Sequence, residues 1–489
     1  GFVISALGGS CVQIAGPTAA FATIVAGIVA RDGLEGLMTA TILAGVFLII
    51  MGFCHFGSLI KFIPYTITTG FTSGIAVTIV IGQLKDFCGI TYPDGVKPIE
   101  TMEKLKAFAE NFSTISPDAL IVGGVSLAIL IVSPLIFKKI PGSLIAVIAG
   151  ILMVQFLPLH VSTIGNLYTI SNALPTLHLP VFDMKLIQSA IPNAFTIAVL
   201  AAIESLLSCV VADGMINSKH RSDTELIAQG AGNIASALFG GIPATGAIAR
   251  TAANIKNGGR TPVAGMVHSI TLVIVLVVLM PFAGMIPMPT IAAILFLVAY
   301  NMCQWRTFVH LVRTAPKSDI IVLFTTFVLT VVFDLVVAIE IGMVLACLLF
   351  IKRMSEETHA DSWVYVDDDS PAVDEHLQKL PLEIRVYEIT GPLFFGAADA
   401  IEHIVVKDFT KCLVLRMRSV PTIDSTAMNA LQNLTKLCES KGITLVFSHV
   451  NEQPMKMMKK SGFVELVGGR KFLCEYFGCV KACGGADFK

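Results

Sequence analysis

Long apolar runs, separated by short polar stretches, occupy residues 1–351. Many of these runs approach 20 residues, the length that crosses a lipid bilayer as a helix. The runs predict a remnant at 1–8, broken segments at 12–30 and 242–256, and spans at 34–54, 64–88, 118–137, 140–158, 190–212, 224–240, 262–283, 286–304, 319–333 and 335–351. The pattern therefore predicts an α-helical polytopic membrane protein.

Two stretches at the starts of the broken segments, 8–19 and 240–251, place glycine, proline and threonine inside apolar surroundings. A continuous membrane helix gains nothing from these residues, because they free backbone groups that lipid cannot satisfy. A helix that begins halfway across the membrane does use them, with proline in its first turn and threonine as its cap. Paired broken helices in matching halves of a chain indicate the substrate site of a transporter.

The two halves match beyond these segments. An Ile-Pro pair enters a span two spans downstream of each broken helix, at 63–64 and at 286–287. We therefore predict an internal repeat, with the opening helix of the first copy and part of its second helix absent. An odd number of spans in each copy would make the copies inverted with respect to the membrane.

The composition changes after Arg353. Residues 355–375 contain eight acidic side chains and no Lys or Arg, which predicts a solvated linker. Strand-like and helix-like patterns then alternate and predict a small α/β domain. The predicted boundaries are a membrane domain at 1–354, an acidic linker at 355–380, the α/β domain at 381–480 and a tail at 481–489.

Composition and charge agree with a membrane protein. Apolar residues make up 54% of the chain, charged residues 14%, and the net charge is -1, so no basic field suggests a nucleic acid partner. Lys and Arg near the span ends concentrate on one side, which predicts a cytoplasmic C-terminal domain and two half-helices whose N-termini meet at the membrane midplane. The cysteines show no metal-ligand spacing, and no cofactor motif or nucleophile–base pair indicates an enzyme.

An anion at the midplane needs dipoles and a positive charge for compensation, and Arg250 is the candidate for that charge. Side chains of Gln13, Thr18 and Thr245 and the amides that follow Pro17 and Ala244 would be neutral donors. A snorkelling arginine near the cytoplasmic end remains the alternative for Arg250. The predicted substrate-binding residues are Gln13, Pro17, Thr18, Ala19, Thr245, Gly246, Ala247 and Arg250.

Glu204 lies in the middle of a predicted span, where a carboxylate is costly unless it is protonated or paired. It could bind one proton per transport cycle. Alternatively, Glu204 and Ser208, one helical turn apart, could coordinate Na⁺ together with backbone carbonyls. A structural hydrogen bond to a neighbouring helix is the third possibility. No cofactor is predicted other than this coupling ion.

These motifs resemble those of the sulfate permease (SulP) family. The resemblance is carried by residues 13–18, 63–65 with 69–71, and 245–251, and the C-terminal domain looks like a STAS domain. It implies a fourteen-helix, seven-plus-seven inverted repeat like that of uracil permeases, in which a core domain carries substrate past a gate domain. It also implies an acid for cation coupling at the position of Glu204.

The leading function is secondary active transport of sulfate or a related oxyanion, driven by H⁺ or Na⁺. Bicarbonate and C4-dicarboxylates remain alternative substrates, and a passive anion exchanger or channel and a nucleobase permease remain alternative functions. We expect a homodimer among membrane lipids, in the inner (plasma) membrane, with a STAS domain that could dock a cytoplasmic protein.

A second candidate site lies in the STAS domain. Residues 421–426 resemble the loop-to-helix start that anti-sigma-factor antagonists phosphorylate, with Asp424 as N-cap and Ser425 as the possible regulatory site. Helix capping alone would also explain this pattern.

Overall fold

The computed structural model describes residues 1–58, 63–93, 98–136, 140–170, 173–178, 184–333, 335–362, 383–402, 404 and 409–473. The chain divides into two compact units, Gly1–Val344 and Leu345–Lys489.

The first unit is built almost entirely from helices, and six helices in the described residues are long and apolar enough to cross a membrane. Its elements in chain order are α1 Phe2–Leu7, β1 Ala15–Gly16, α2 Ala22–Phe53, α3 Tyr65–Cys88, α4 Thr101–Glu110, α5 Pro117–Ile136, α6 Gly142–Phe156, α7 Ile164–Leu167, α8 Met184–Ile216, α9 Ser222–Leu238, β2 Thr245–Gly246, α10 Ile248–Lys256, α11 Val263–Ala283, α12 Met288–Cys303, α13 Trp305–Thr314 and α14 Lys317–Val332. Along the chain, α15, Leu335–Glu356, leads into the second unit.

One helix, α2, combines two predicted segments. The broken segment at 12–30 and the span at 34–54 meet at a kink at Gly33, whose φ of +70° and ψ of -172° are not helical, so α2 consists of two helical stretches. Glycine adopts this left-handed conformation without the steric cost that a Cβ would bring. The half-helix that we predicted therefore ends at this kink, and the next predicted span begins directly after it.

Two amphipathic helices, α4 and α13, were not predicted. Helix α4 begins with a capping box in which Glu100 and Glu103 each accept from the other's backbone N–H. Helix α13 packs Phe308 edge-on against Phe324 and Phe327 of α14. Both helices have 10 residues and a polar face. Neither contains an apolar run of membrane-spanning length, so a search for such runs does not find them.

The helices of the first unit pack in two groups. Helices α1, α2, α8, α9, α10 and α11 form one group, in which α2 packs against both α8 and α9. Helices α3, α5, α6, α12 and α14 form the other, centred on contacts of α3 with α12 and α14. Both broken segments belong to the first group.

The second unit contains a five-stranded sheet with the strand order β3-β4-β5-β6-β7. β3 pairs antiparallel with β4, and the remaining neighbours are parallel. Its elements are β3 His359–Ser362, β4 Ile384–Thr390, α16 Asp399–Glu402, β5 Cys412–Ser419, α17 Ser425–Ser440, β6 Thr444–Ser448, α18 Glu452–Lys460, α19 Phe463–Val467 and β7 Phe472–Leu473. The predicted linker thus includes one strand, β3, and its residues 363–380 lie outside the described residues.

Candidate anion-binding site

The two broken segments meet in an antiparallel pair of two-residue strands, β1 and β2. Ala15 lies opposite Gly246, and Gly16 lies opposite Thr245. The Ala247 N–H donates to the Ile14 carbonyl at 2.9 Å and extends the pairing. We call this paired region of β1 and β2 the crossing. Because the strands are antiparallel, α2 and α10 leave the crossing in opposite directions. The predicted break in each segment is confirmed.

The helices begin later than the sequence predicted. Pro17 lies before the first helical turn, which starts at Ala19, and α10 starts at Ile248. Neither predicted threonine caps a helix. The Thr18 hydroxyl donates to Glu204 Oε2 at 2.9 Å, and the Thr245 hydroxyl donates to the Ala201 carbonyl at 3.1 Å. Both threonines therefore connect the broken segments to α8, because the residues before each helix form strand pairs.

Arg250 reaches from the second segment to the first. Its Nη2 donates to the Pro17 carbonyl at 2.8 Å. Its Nη1 lies so close to Gly16 that a Cβ there would be 2.6 Å away. The side chain remains exposed overall. One positive charge thus stands between the two points at which the half-helices begin.

Gln13 is buried, and its amide nitrogen already has a partner. Its Nε2 donates to Glu225 Oε1 at 2.9 Å, and the Cys209 thiol donates to its Oε1. The side chain also packs against Gly246, where a Cβ would overlap it. As a donor to an anion, Gln13 has only its second amide hydrogen left.

The predicted coupling residues have different partners. Glu204, with 7% of its surface exposed, accepts the Thr18 hydrogen bond. Ser208 is fully buried and donates to Thr251 Oγ1 at 3.2 Å, while the Ile14 N–H donates to the same oxygen. The Ser208 hydroxyl is therefore engaged by α10, one turn away from the carboxylate.

Sequence reasoning missed a group of buried polar residues beside the predicted ones. Ser205 shares a 2.8 Å hydrogen bond with Thr245 and accepts from the Gly246 N–H at 3.0 Å. Glu225 and Asn233 on α9 also bind the broken segments. Polar side chains spaced four apart in an apolar run, at 225, 229 and 233, were the signal that could have revealed them.

A cavity of about 460 Å³ opens beside the first half-helix. Its polar lining includes Arg31, Asn193, Thr196, Thr78 and Thr330. Arg31 donates to Asn193 at 3.0 Å and pairs with Asp32 at 3.3 Å. None of the predicted substrate-binding residues is among its lining residues, so the cavity does not include the point where the broken segments pair.

In the second unit, Asp424 is the N-cap of α17. Its Oδ1 accepts from the Ala427 N–H at 2.9 Å, and its Oδ2 accepts from the Phe395 N–H at 2.8 Å. Ser425, the first residue of the helix, is exposed. A phosphate on Ser425 would stand next to the Asp424 carboxylate, so it would oppose this capping arrangement.

Asp424→Ala should reduce the free energy of unfolding of the second unit by about 1–2 kcal/mol, because it removes a cap and a loop hydrogen bond. Asp424→Asn, whose side chain still caps a helix, should lose less. Hydrogen exchange of α17 and thermal unfolding of the full chain measure both effects. Equal protection of α17 in the alanine variant and the wild type would contradict the role of the cap.

Comparison with known proteins gives a family match for each part of the chain. The model of the sulfate permease family matches residues 1–326, and the STAS domain model matches residues 378–473. YvdB of Bacillus subtilis, a protein designated a sulfate transporter, is 37% identical over 477 residues, which are 96% of this chain and 88% of YvdB. The bicarbonate transporter BicA of Picosynechococcus is 33% identical over 451 residues, covering 88% of this chain and 79% of BicA.

Solved structures agree with this assignment. Murine solute carrier 26 family member A9, an anion transporter in the inward-facing state, superposes with a TM-score of 0.86 at 18% identity over 99% of this chain and 85% of its own. That likeness concerns the fold alone. The transmembrane domain of a cyanobacterial bicarbonate transporter, BicA, superposes with a TM-score of 0.61 at 30% identity over 70% of this chain and 87% of its own.

Proposed function

The chain belongs to the sulfate permease family and is a multi-pass membrane anion transporter, not an enzyme, and we propose that it imports sulfate or a related small oxyanion by secondary active transport. The crossing of the two broken segments carries this proposal. Two helix N-termini meet there, each with backbone N–H groups that suit an anion, and Arg250 adds a positive charge between them.

The groups at this crossing distinguish substrates by charge more strongly than by shape. Backbone amides and one guanidinium can donate to any oxyanion of similar size. A neutral nucleobase would bring no negative charge to pair with Arg250, which disfavours a nucleobase permease. We therefore propose a small oxyanion as the substrate. The uptake experiment below tests which oxyanion it is.

Bicarbonate is the second candidate substrate. Its support is the similarity to the bicarbonate transporter BicA at 33% identity over 451 residues. The crossing suits both ions, since each presents oxygen acceptors and negative charge. A C4-dicarboxylate would fit the same donors.

We propose that Glu204 couples transport to H⁺ or Na⁺. It is buried, and a single hydroxyl donor, that of Thr18, contacts it among the described residues. Three of its four acceptor positions thus remain for a proton or a hard cation. A passive channel has no need of such a buried acid.

The two helix groups suggest how the substrate crosses the membrane. Both half-helices and α8 lie in one group, so substrate and coupling ion would move together as that group slides against the other. The cavity beside Arg31 lies where residues of both groups meet, which suits an access path from one side. We propose this movement as the transport step.

We also propose a location and partners. The concentration of Lys and Arg on one side supports a cytoplasmic C-terminus, and we propose the inner (plasma) membrane as the location. A homodimer, and a STAS domain that docks a cytoplasmic protein, are further parts of the proposal. Regulation at Ser425 would act by disturbing the Asp424 cap, because the amides that a phosphate would use are already bonded.

Uptake by the full chain in liposomes tests the substrate. Labelled sulfate should enter saturably, and an imposed H⁺ or Na⁺ gradient should concentrate it. Bicarbonate, succinate and uracil serve as competitors, and uracil should have no effect. A flux that neither saturates nor responds to either gradient would favour a passive channel over a coupled carrier.

A further inference from the structure

A buried polar stripe on α9 contacts both broken segments. Glu225, Gln229 and Asn233 are spaced four apart and lie on one face of the helix. Glu225 has 1% of its surface exposed, and the other two are fully buried. A hydrogen bond joins Gln229 Nε2 to Glu225 Oε1 at 2.9 Å, and Asn233 Nδ2 donates to the Gln229 carbonyl at 2.8 Å.

The first broken segment is bound at Glu225. Its Oε2 accepts from the N–H groups of Gly9 at 2.9 Å and Ser10 at 3.2 Å. Its Oε1 accepts from Gln13 Nε2 at 2.9 Å. With the bond from Gln229, each carboxylate oxygen accepts two hydrogen bonds, and all four come from N–H donors. This pattern suits an ionised carboxylate.

Gly9 makes this close approach possible. The Arg221 N–H, just before α9, donates to the Gly9 carbonyl at 3.1 Å. A Cβ on Gly9 would overlap the Arg221 carbonyl oxygen. The glycine therefore allows the chain to lie directly against the N-terminus of α9, where Glu225 can reach two consecutive amides.

The second broken segment is bound at Asn233. Its Oδ1 accepts from the Ala244 N–H at 2.8 Å, and its Nδ2 donates to the Ala244 carbonyl at 2.9 Å. Both backbone groups of the residue that precedes β2 are thereby satisfied by one side chain. Because Glu225 and Asn233 are eight residues apart on one rigid helix, α9 sets the separation between the two segments.

We propose that Glu225 and Asn233 are positioning residues that hold both broken segments from one helix, and that Glu225 fixes the orientation of the Gln13 amide at the anion site. The part that concerns Gln13 rests on the proposed function. The two side chains act through the segments they hold, so their effect on transport should fall mainly on the affinity for the anion.

Two isosteric variants change the charge and the donor–acceptor pattern of these side chains without changing their size. Glu225→Gln presents an NH₂ group to two existing donors, and Asn233→Asp presents a second acceptor to the Ala244 carbonyl. Each should raise the KM for sulfate about tenfold or more, with a smaller change in maximal rate, because each leaves a mismatched pair of polar groups at a buried contact. Asp223→Asn is the matched control, because Asp223 lies in the same helical turn as Glu225 and binds His55 and Gly57.

A double variant tests whether Glu225 acts through Gln13. If it does, Glu225→Gln should add little to the KM of Gln13→Ala, because the interaction is already lost. If the two substitutions raise KM independently, so that their effects multiply in the double variant, Glu225 does not act through Gln13. Should Glu225→Gln fail to reach the membrane, Glu225→Asp replaces it, since it keeps the charge and retracts the oxygens. A wild-type KM for Glu225→Asp would then contradict the proposal.

Hydrogen exchange separates this proposal from the proposed function. Glu225→Gln should speed exchange of the amides at 9–14 whether or not sulfate is the substrate. Normal exchange at 9–14 together with a wild-type KM would overturn the positioning role. If the wild type takes up no anion saturably but the variant still exchanges faster at 9–14, the proposed function fails and the positioning role stands.

Discussion

Arg250→Ala is expected to reduce kcat/KM for anion uptake by about tenfold to a hundredfold or more, the loss expected for hydrogen bonds to a charged group. Arg250 reaches the first broken segment at the Pro17 carbonyl, so its guanidinium stands between both half-helix starts. Without it, an anion at the crossing would have only neutral donors and helix dipoles. Arg250→Lys should recover only part of the loss, because an ammonium lacks the forked donor geometry.

Labelled sulfate uptake into liposomes, at equal amounts of inserted protein, measures this effect. Arg260→Ala is the matched control, since Arg260 follows the same half-helix and donates to the Ile255 and Gly259 carbonyls. The control should keep the kcat/KM of the wild type. Near-normal uptake by Arg250→Ala would show that Arg250 is a snorkelling residue and that the compensating charge lies elsewhere.

The broken segments were predictable because local chemistry determines them. Glycine, proline and threonine in an apolar run are costly in a continuous membrane helix, whatever the surroundings. The kink at Gly33 also agrees with the sequence, since it falls between the two segments that were predicted separately. The amphipathic α4 and α13 were missed because their apolar residues cover one face only.

The partners of the site residues could not be predicted from the sequence. Gln13 and Glu225 are 212 positions apart, and Thr18 and Glu204 are 186 apart. Residue types at such separations do not specify which hydroxyl or amide meets which carboxylate, because tertiary packing of α2, α8 and α9 decides it. The sequence therefore indicated that a buried charge at Glu204 is costly. It left open whether a proton, a cation or a hydrogen bond compensates that charge.

The two buried carboxylates near the crossing differ in their surroundings. Glu225 accepts four hydrogen bonds from N–H donors, so its negative charge is compensated within the protein. Among the residues that the structure describes, Glu204 accepts one, from Thr18. An ionised carboxylate with so few donors is costly at this depth, so Glu204 is the one that gains from binding a proton or a cation. Thr18 also lies in the first broken segment, which connects such binding to the anion site.

Glu204→Gln mimics a permanently protonated carboxyl and is expected to abolish concentrative uptake driven by the coupling gradient while exchange between loaded vesicles continues. A proton-coupled carrier should lose its response to an inward pH gradient. A sodium-coupled carrier should lose Na⁺ stimulation instead. In that case Ser208→Ala should weaken stimulation less than Glu204→Gln does, because the Ser208 hydroxyl is engaged by Thr251.

Uptake under separate H⁺ and Na⁺ gradients, wild type against variant, distinguishes these outcomes. Glu340→Gln is the control, since Glu340 is an exposed acid on the apolar helix α15 and its loss should leave both responses unchanged. Loss of exchange together with coupling would mean that the Thr18 hydrogen bond maintains the site itself. If both gradients drive Glu204→Gln as well as the wild type, Glu204 is structural, and the coupling ion must bind to a different group.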